Sequence, residues 1–149
     1  MSDREEVLAV LARITDAWNS GDGEAYAREF TADADYVTWF GMRFSGREAI
    51  GSSHRKLFEG PLRGSKLSGF GDADVRFPQP DVAIVVSGGG SSLSGTGPAA
   101  EGRLSTLTTV LVRGSRGWLV TAFQNTRVSD PRAAVLGETG DRRVPWATD

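Results

Sequence analysis

The sequence predicts an α+β fold, with helices gathered on one face of an antiparallel sheet. Three observations carry that expectation. As far as Gly60, apolar residues recur at helical spacing. From Leu67 onward the period changes, to runs rich in Val, Ile, Thr, Leu and Phe set apart by turn signals. A chain of 149 residues, 39% hydrophobic and 24% charged, is also the right size to bury one core. One domain is therefore expected over 1–149, with its core at about 5–128 and a C-terminal extension at 129–149.

Three helices are expected in the N-terminal half. Asp3 and Glu6 have capping-box spacing, and Val7, Leu8, Leu11, Ile14 and Trp18 follow at helical intervals until Asn19-Ser20-Gly21 stops the run. Asp22 can cap a shorter helix in which Tyr26 and Phe30 are i,i+4 neighbours. The TADADY segment then reads as a turn into an extended run, Tyr36 to Phe40, and Gly41 permits a reversal into Met42-Arg43-Phe44. Ser45 and Glu48 repeat the capping-box spacing and open a third helix, which Gly60-Pro61 terminates.

Long antiparallel strands are expected at Leu67 to Phe77, Val82 to Val86, Leu104 to Val112 and Trp118 to Arg127, with turns at Pro78-Gln79-Pro80 and Gly114-Ser115-Arg116-Gly117. Ser87 to Gly102 is too poor in apolar side chains to fold by itself and reads as a flexible hairpin connection. Past Arg127, Asp130 can cap a short helix with Pro131 in its first turn and Gly137 closing it. Trp146 is costly to leave in water, so the tail is expected to dock on its own domain or on a partner subunit.

Composition narrows the function. The formal charge is -2 with both signs interspersed, so no basic face is available for a phosphate backbone and nucleic acid is not expected as a partner. No apolar run approaches the roughly 18 residues of a membrane span, and the N-terminus lacks a signal-peptide core. The reading is a soluble, cytoplasmic protein without a membrane partner. With no cysteine and one histidine, no metal site and no cofactor are expected. Nineteen glycines invite a phosphate-loop reading, but Ser87 to Gly102 lacks both the following helix and a Gly-Lys-Ser/Thr ending.

The candidate site is built around the lone histidine. His54 shares a helical face with Ile50, Leu57 and Phe58 and so points inward, either as a satisfied structural residue or as a proton-transfer group. Asp35 is expected to share a strand face with Val37 and Trp39, as an acid or base in a cavity or a strand-end carboxylate in water. On the last strand Phe123, Asn125 and Arg127 share one face, which puts polar groups where apolar ones are usual. A neutral imidazole, a carboxylate and an amide meeting in an apolar hollow are the parts of an acid/base site. Burial is expected to keep His54 neutral near pH 7.

Several segments together resemble one known family: AWNSGD closing helix 1, the DADYV strand, FGMRFSGREAI leading to the helical His54, PDVAIV, and GWLVTAFQNTR. They are similar to the nuclear transport factor 2-like superfamily, SnoaL-like, and within it to the SgcJ/EcaC-like branch, over roughly Glu5 to Val128. Phe44 and Thr38 stand where that branch usually has Trp and Asn. The resemblance implies a strongly curved sheet wrapped on its helices into a cone with an apolar pocket, commonly in a homodimer. It also implies cofactor-free proton chemistry on hydrophobic, polyketide- or enediyne-pathway carbonyl compounds. On that reading His54 is general base and acid, Asn125 holds an enolate oxygen, and Asp35 orients His54. Trp18, Tyr36, Trp39, Phe44, Phe58 and Phe123 would enclose the substrate. The alternatives are a binding or carrier module using the same pocket, and a regulatory domain whose pocket is vestigial.

Overall fold

The computed structural model describes residues 1–93 and 103–132. Helix α1 covers Asp3–Asn19 and buries Val7, Val10, Leu11, Ile14 and Ala17 along one stripe. Its capping box forms one residue earlier than the spacing suggested. Ser2 Oγ accepts from the Glu5 N–H at 3.2 Å, and the Glu5 carboxylate accepts from the Ser2 N–H at 2.7 Å. Helix α2, Gly23–Arg28, starts as expected, with Asp22 accepting from the Ala25 N–H at 2.9 Å. It packs so closely on the third helix that a Cβ at Gly23 would lie 2.8 Å from the Arg55 backbone nitrogen.

Strand β1 runs Phe30–Val37, so the TADADY segment is strand and not turn. Asp and Ala are weak strand formers, and pairing on both sides of β1 overrides their preference. The extended run ends at Val37, and a turn at Trp39-Phe40 leads to β2, Arg43–Ser45. Helix α3, Arg47–Glu59, lacks the expected Ser45/Glu48 box. Gly46 occupies its N-cap at φ 92°, with the Ala32 carbonyl 3.1 Å from where a Cβ would stand. Both the backbone angle and the close crossing call for glycine.

The expected strand Leu67 to Phe77 divides into β3, Lys66–Leu67, and β4, Asp74–Gln79. Pro78 lies inside β4, where an edge strand tolerates a missing N–H. Strand β5 runs Val82–Ser92, through the triple glycine and well past the expected end at Val86. Strands β6, Leu104–Gly114, and β7, Gly117–Arg127, match the expected hairpin. The remainder of the hairpin connection expected up to Gly102, and Gly137 and Trp146 of the tail, lie outside the described residues. Asp130 does accept from the Arg132 N–H at 2.9 Å, as a cap would.

The sheet order is β2-β1-β7-β6-β5-β3, with β4 also on β5. It is mixed rather than wholly antiparallel, because β1 lies parallel to β7. Period-two patterning marks the buried face of a strand but not its neighbour or its direction. Two irregularities curl the sheet: a register shift between Phe30 and Asp35 against β7, and another between Val110 and Leu111 that leaves Thr121 unpaired on β7. The result is a half-barrel packed against three helices. One apolar cluster joins the α1 stripe to Ala83 and Val85 of β5, Leu111 of β6 and Val120 of β7. Among the described residues no helix is long and apolar enough to cross a membrane.

Candidate functional site

Away from this apolar cluster, the inner face becomes polar. On the helical side, Tyr26 of α2, Tyr36 of β1 and His54 of α3 meet in a buried stack. Tyr26 lies against His54 at a ring separation of 4.4 Å, and Tyr36 meets His54 edge-on at 5.1 Å. His54 Nδ1 is 2.8 Å from the Ile50 carbonyl oxygen, which can only accept, so the ring proton sits on Nδ1. Nε2 is then the acceptor, and the Tyr36 hydroxyl donates to it at 3.3 Å. That leaves Tyr36 Oη to accept from Tyr26 at 2.8 Å. Hydrogen bonds thus run in one direction from Tyr26 through Tyr36 and His54 to a helix carbonyl.

Burial governs the titration of all three groups. Loss of solvent lowers the His54 imidazole to about 4, against which the hydrogen bond to Ile50 pulls weakly upward. Burial also raises Tyr36 to about 12 and Tyr26 well above the usual tyrosine value. The network is neutral across the physiological range.

The sheet side differs. A cavity of about 120 Å³ lies between α1, α2 and the inner faces of β1, β6 and β7, walled by Trp18, Tyr26, Tyr36 and Phe123. Ser105, Asn125, Arg103 and Arg127 supply its polar lining. Ser105 Oγ and Asn125 Oδ1 are fully buried and have no hydrogen-bond partner among the described residues. An outer groove between α2 and α3 is larger, about 580 Å³, but it is an open surface lined by Glu24, Arg28, Arg47, Glu48 and Arg55. Those charges are solvated, and none of the partnerless buried atoms lies there.

The residues singled out from the sequence divide between these places. Asn125, Trp18, Tyr36, Trp39 and Phe123 line the cavity. His54 does not: it is 2% exposed and sits behind the two tyrosines. Phe44 and Phe58 also stand off the lining, Phe44 against Tyr36 and Phe58 against Trp18. Asp35 points away from His54 altogether. Ala34 and Tyr36 take the inward positions of β1, so Asp35 faces outward and pairs with Arg43 at 2.6 Å, with both side chains about half exposed. Trp39 is 51% exposed and carries the Arg127 guanidinium 4.6 Å above its ring. Tyr26, Arg103 and Ser105 were not singled out, and Arg127 only as sharing a strand face with Phe123 and Asn125. For Ser105 a signal existed, since LSTLTTVL alternates so that Ser105, Leu107, Thr109 and Leu111 share the buried face. Among the described residues no three His, Cys, Asp or Glu side chains gather into a cation site.

A curled mixed sheet, three helices closing its concave side and a hollow lined from both define a cone-type fold with an internal pocket. A domain of unknown function with a cystatin-like fold from Nostoc punctiforme is similar at TM-score 0.77 and 31% identity, over 84% of this chain and 76% of that one. An NTF2-like protein with a cystatin-like fold from Novosphingobium aromaticivorans is similar at TM-score 0.70 and 25% identity, over 85% and 82% of the two chains. The chain belongs with the first of these among domains with a cystatin-like fold, and shares its architecture with the NTF2-like second. A candidate dehydratase of the NTF2-like family from Streptomyces avermitilis shares the fold at TM-score 0.71 and 20% identity, over 84% of this chain and 95% of that one. No protein-family model matches the chain, and no curated protein does.

Proposed function

We propose that the protein binds a compact, ring-sized small molecule in the hollow between α1, α2 and the β6–β7 wall. The observation that carries this reading is the lining, aromatic rings of Trp18, Tyr26, Tyr36 and Phe123 beside Arg103, Arg127, Ser105 and Asn125, the last two holding a buried Oγ and Oδ1 without a partner among the described residues. Leaving such groups unpaired costs about 1–3 kcal/mol each, a cost that a bound molecule removes. Flat aromatic walls and a few placed polar groups are the usual composition of a ligand site. Among the described residues that line the hollow there is no carboxylate, imidazole or amine to take a proton. Binding therefore needs fewer assumptions than catalysis. A homodimer, implied by the family resemblance, is part of the proposal and is read by sedimentation.

A second reading keeps the chemistry of the SgcJ/EcaC-like branch: cofactor-independent isomerase, cyclase or dehydratase action on a polyketide- or enediyne-derived intermediate. What favours it is the directed Tyr26–Tyr36–His54 chain, whose first two rings line the hollow. His54 Nε2 would receive a proton through Tyr36, and Asn125 would hold the substrate oxygen. A cavity of about 120 Å³ is small for a polycyclic intermediate, so this reading asks the hollow to widen.

A panel of single-ring carbonyl compounds in D2O separates the two. Under the binding reading, compounds raise the melting temperature and no carbon-bound proton exchanges. Exchange that His54→Gln and Tyr36→Phe abolish, with binding retained, would replace it by the catalytic reading. No stabilisation by any compound of the panel would remove both.

A further inference from the structure

The ligand's chemistry is written in the charges at one end of the hollow. Arg127 pairs across the β6–β7 ladder with Ser105, and Arg103 precedes Ser105 by two residues, so both arginines share its face. Each is held in place without being neutralised. The Arg103 Nε and Nη2 groups donate to the Ser91 carbonyl at 3.0 Å and hydroxyl at 2.6 Å, which leaves its Nη1 edge open. The Arg127 guanidinium lies over the Trp39 ring at 4.6 Å, and among the described residues its N–H groups have no hydrogen-bond acceptor. Four other arginines do pair with acids, Arg13 with Glu29, Arg43 with Asp35, Arg113 with Asp3 and Asp81, and Arg132 with Asp130, while Arg47 donates to the Phe30 carbonyl. Neither Arg103 nor Arg127 has a carboxylate within ion-pair distance among the described residues. Burial, and then the like charge of Arg103, lowers Arg127 from the usual arginine value.

Two neighbouring cations with free donor edges and no acid fit an anion, and the planar fork of arginine fits a carboxylate best. A carboxylate alone cannot satisfy the rest of the lining, because Asn125 Oδ1 only accepts and needs a donor. Ser105 Oγ can pair with the same donor or with the anion. The space between is bounded by Trp18, Tyr36 and Phe123, and its roughly 120 Å³ is somewhat less than the ~150 Å³ engineered apolar cavity that takes up benzene in another protein.

We infer that the hollow takes a single-ring hydroxy-carboxylate, its carboxylate between Arg103 and Arg127 and its hydroxyl directed at Asn125 and Ser105. This rests on the reading of the hollow as a ligand site and names the class of molecule that fills it.

Calorimetric titration of the whole chain with meta- and para-hydroxybenzoate, benzoate and the matching hydroxybenzamides tests it. The better hydroxybenzoate is expected to bind about tenfold or more tightly than its amide, as a charge-assisted bidentate contact implies. Arg103→Gln or Arg127→Gln should each erase that preference, and Arg127→Lys should restore part of it. Asn125→Ala should bring hydroxybenzoate down to benzoate, with melting curves confirming that every variant is folded. Amide and acid binding equally well would overturn the anionic class while leaving the hollow as a ligand site. Failure of all the compounds to bind would overturn both.

Discussion

Two walls of one hollow treat buried polarity in opposite ways. On the helical wall, Tyr26, Tyr36 and His54 place every polar atom against another, and the chain ends on a carbonyl of their own helix. On the sheet wall, Ser105 Oγ, Asn125 Oδ1 and, further along β6, Thr109 Oγ1 are equally buried and have no partner among the described residues. A satisfied network holds the fold together, and an unsatisfied one at a cavity surface is what a ligand completes. The sequence marks the first group more loudly, because a lone histidine draws attention. The proposed function rests on the second.

The contrast can be broken at either wall. The largest effect is expected from acid. The folded protein holds His54 near 4 while the unfolded chain titrates near 6.5, so protonation favours unfolding. The stability that His54 contributes is fully present above pH 6.5 and is lost as pH falls through 4, about 3 kcal/mol in all. Urea unfolding of the wild type across that window should show a slope that His54→Gln lacks. Equal slopes would mean that His54 is not buried neutral.

Next comes Tyr36→Phe, which leaves His54 Nε2 without a donor and Tyr26 without an acceptor. A loss of about 1–3 kcal/mol in unfolding free energy at neutral pH is expected. Smallest, and opposite in sign, are Ser105→Ala and Thr109→Val. Both remove a buried hydroxyl that has no partner, so stability should stay level or rise by up to about 1 kcal/mol. If these variants cost as much as Tyr36→Phe, the two walls do not differ.

Much of the fold was legible in the sequence. The α1 stripe, the Asp22 cap and the β6–β7 hairpin follow from local periodicity and turn chemistry, which act over a few residues. What misled was also local. Ser45 and Glu48 have the right spacing for a box, yet the positive φ of Gly46 decides how the chain enters α3. The acidic segment around Asp33 looks like a turn until β7 pairs beside it. The site was legible in part: Asn125, Trp18, Tyr36, Trp39 and Phe123 reach the hollow, while Asp35 takes the outward side of β1, the second of its two expected readings. Arg103, two residues before Ser105, becomes a site residue only through the position of Ser91 on the neighbouring strand.

The sequence by itself determined the three helices, the β6–β7 hairpin and that His54 would point inward, because side-chain period and burial follow from the backbone repeat. Only the tertiary structure decided where inward leads. The curl of the sheet and the parallel docking of β1 on β7 put two tyrosines in front of His54 and two arginines in front of Asn125. Those neighbours are distant in sequence, and hydrogen bonding and charge depend on distance in space. The same inward direction therefore made one residue part of the frame and the other part of the pocket.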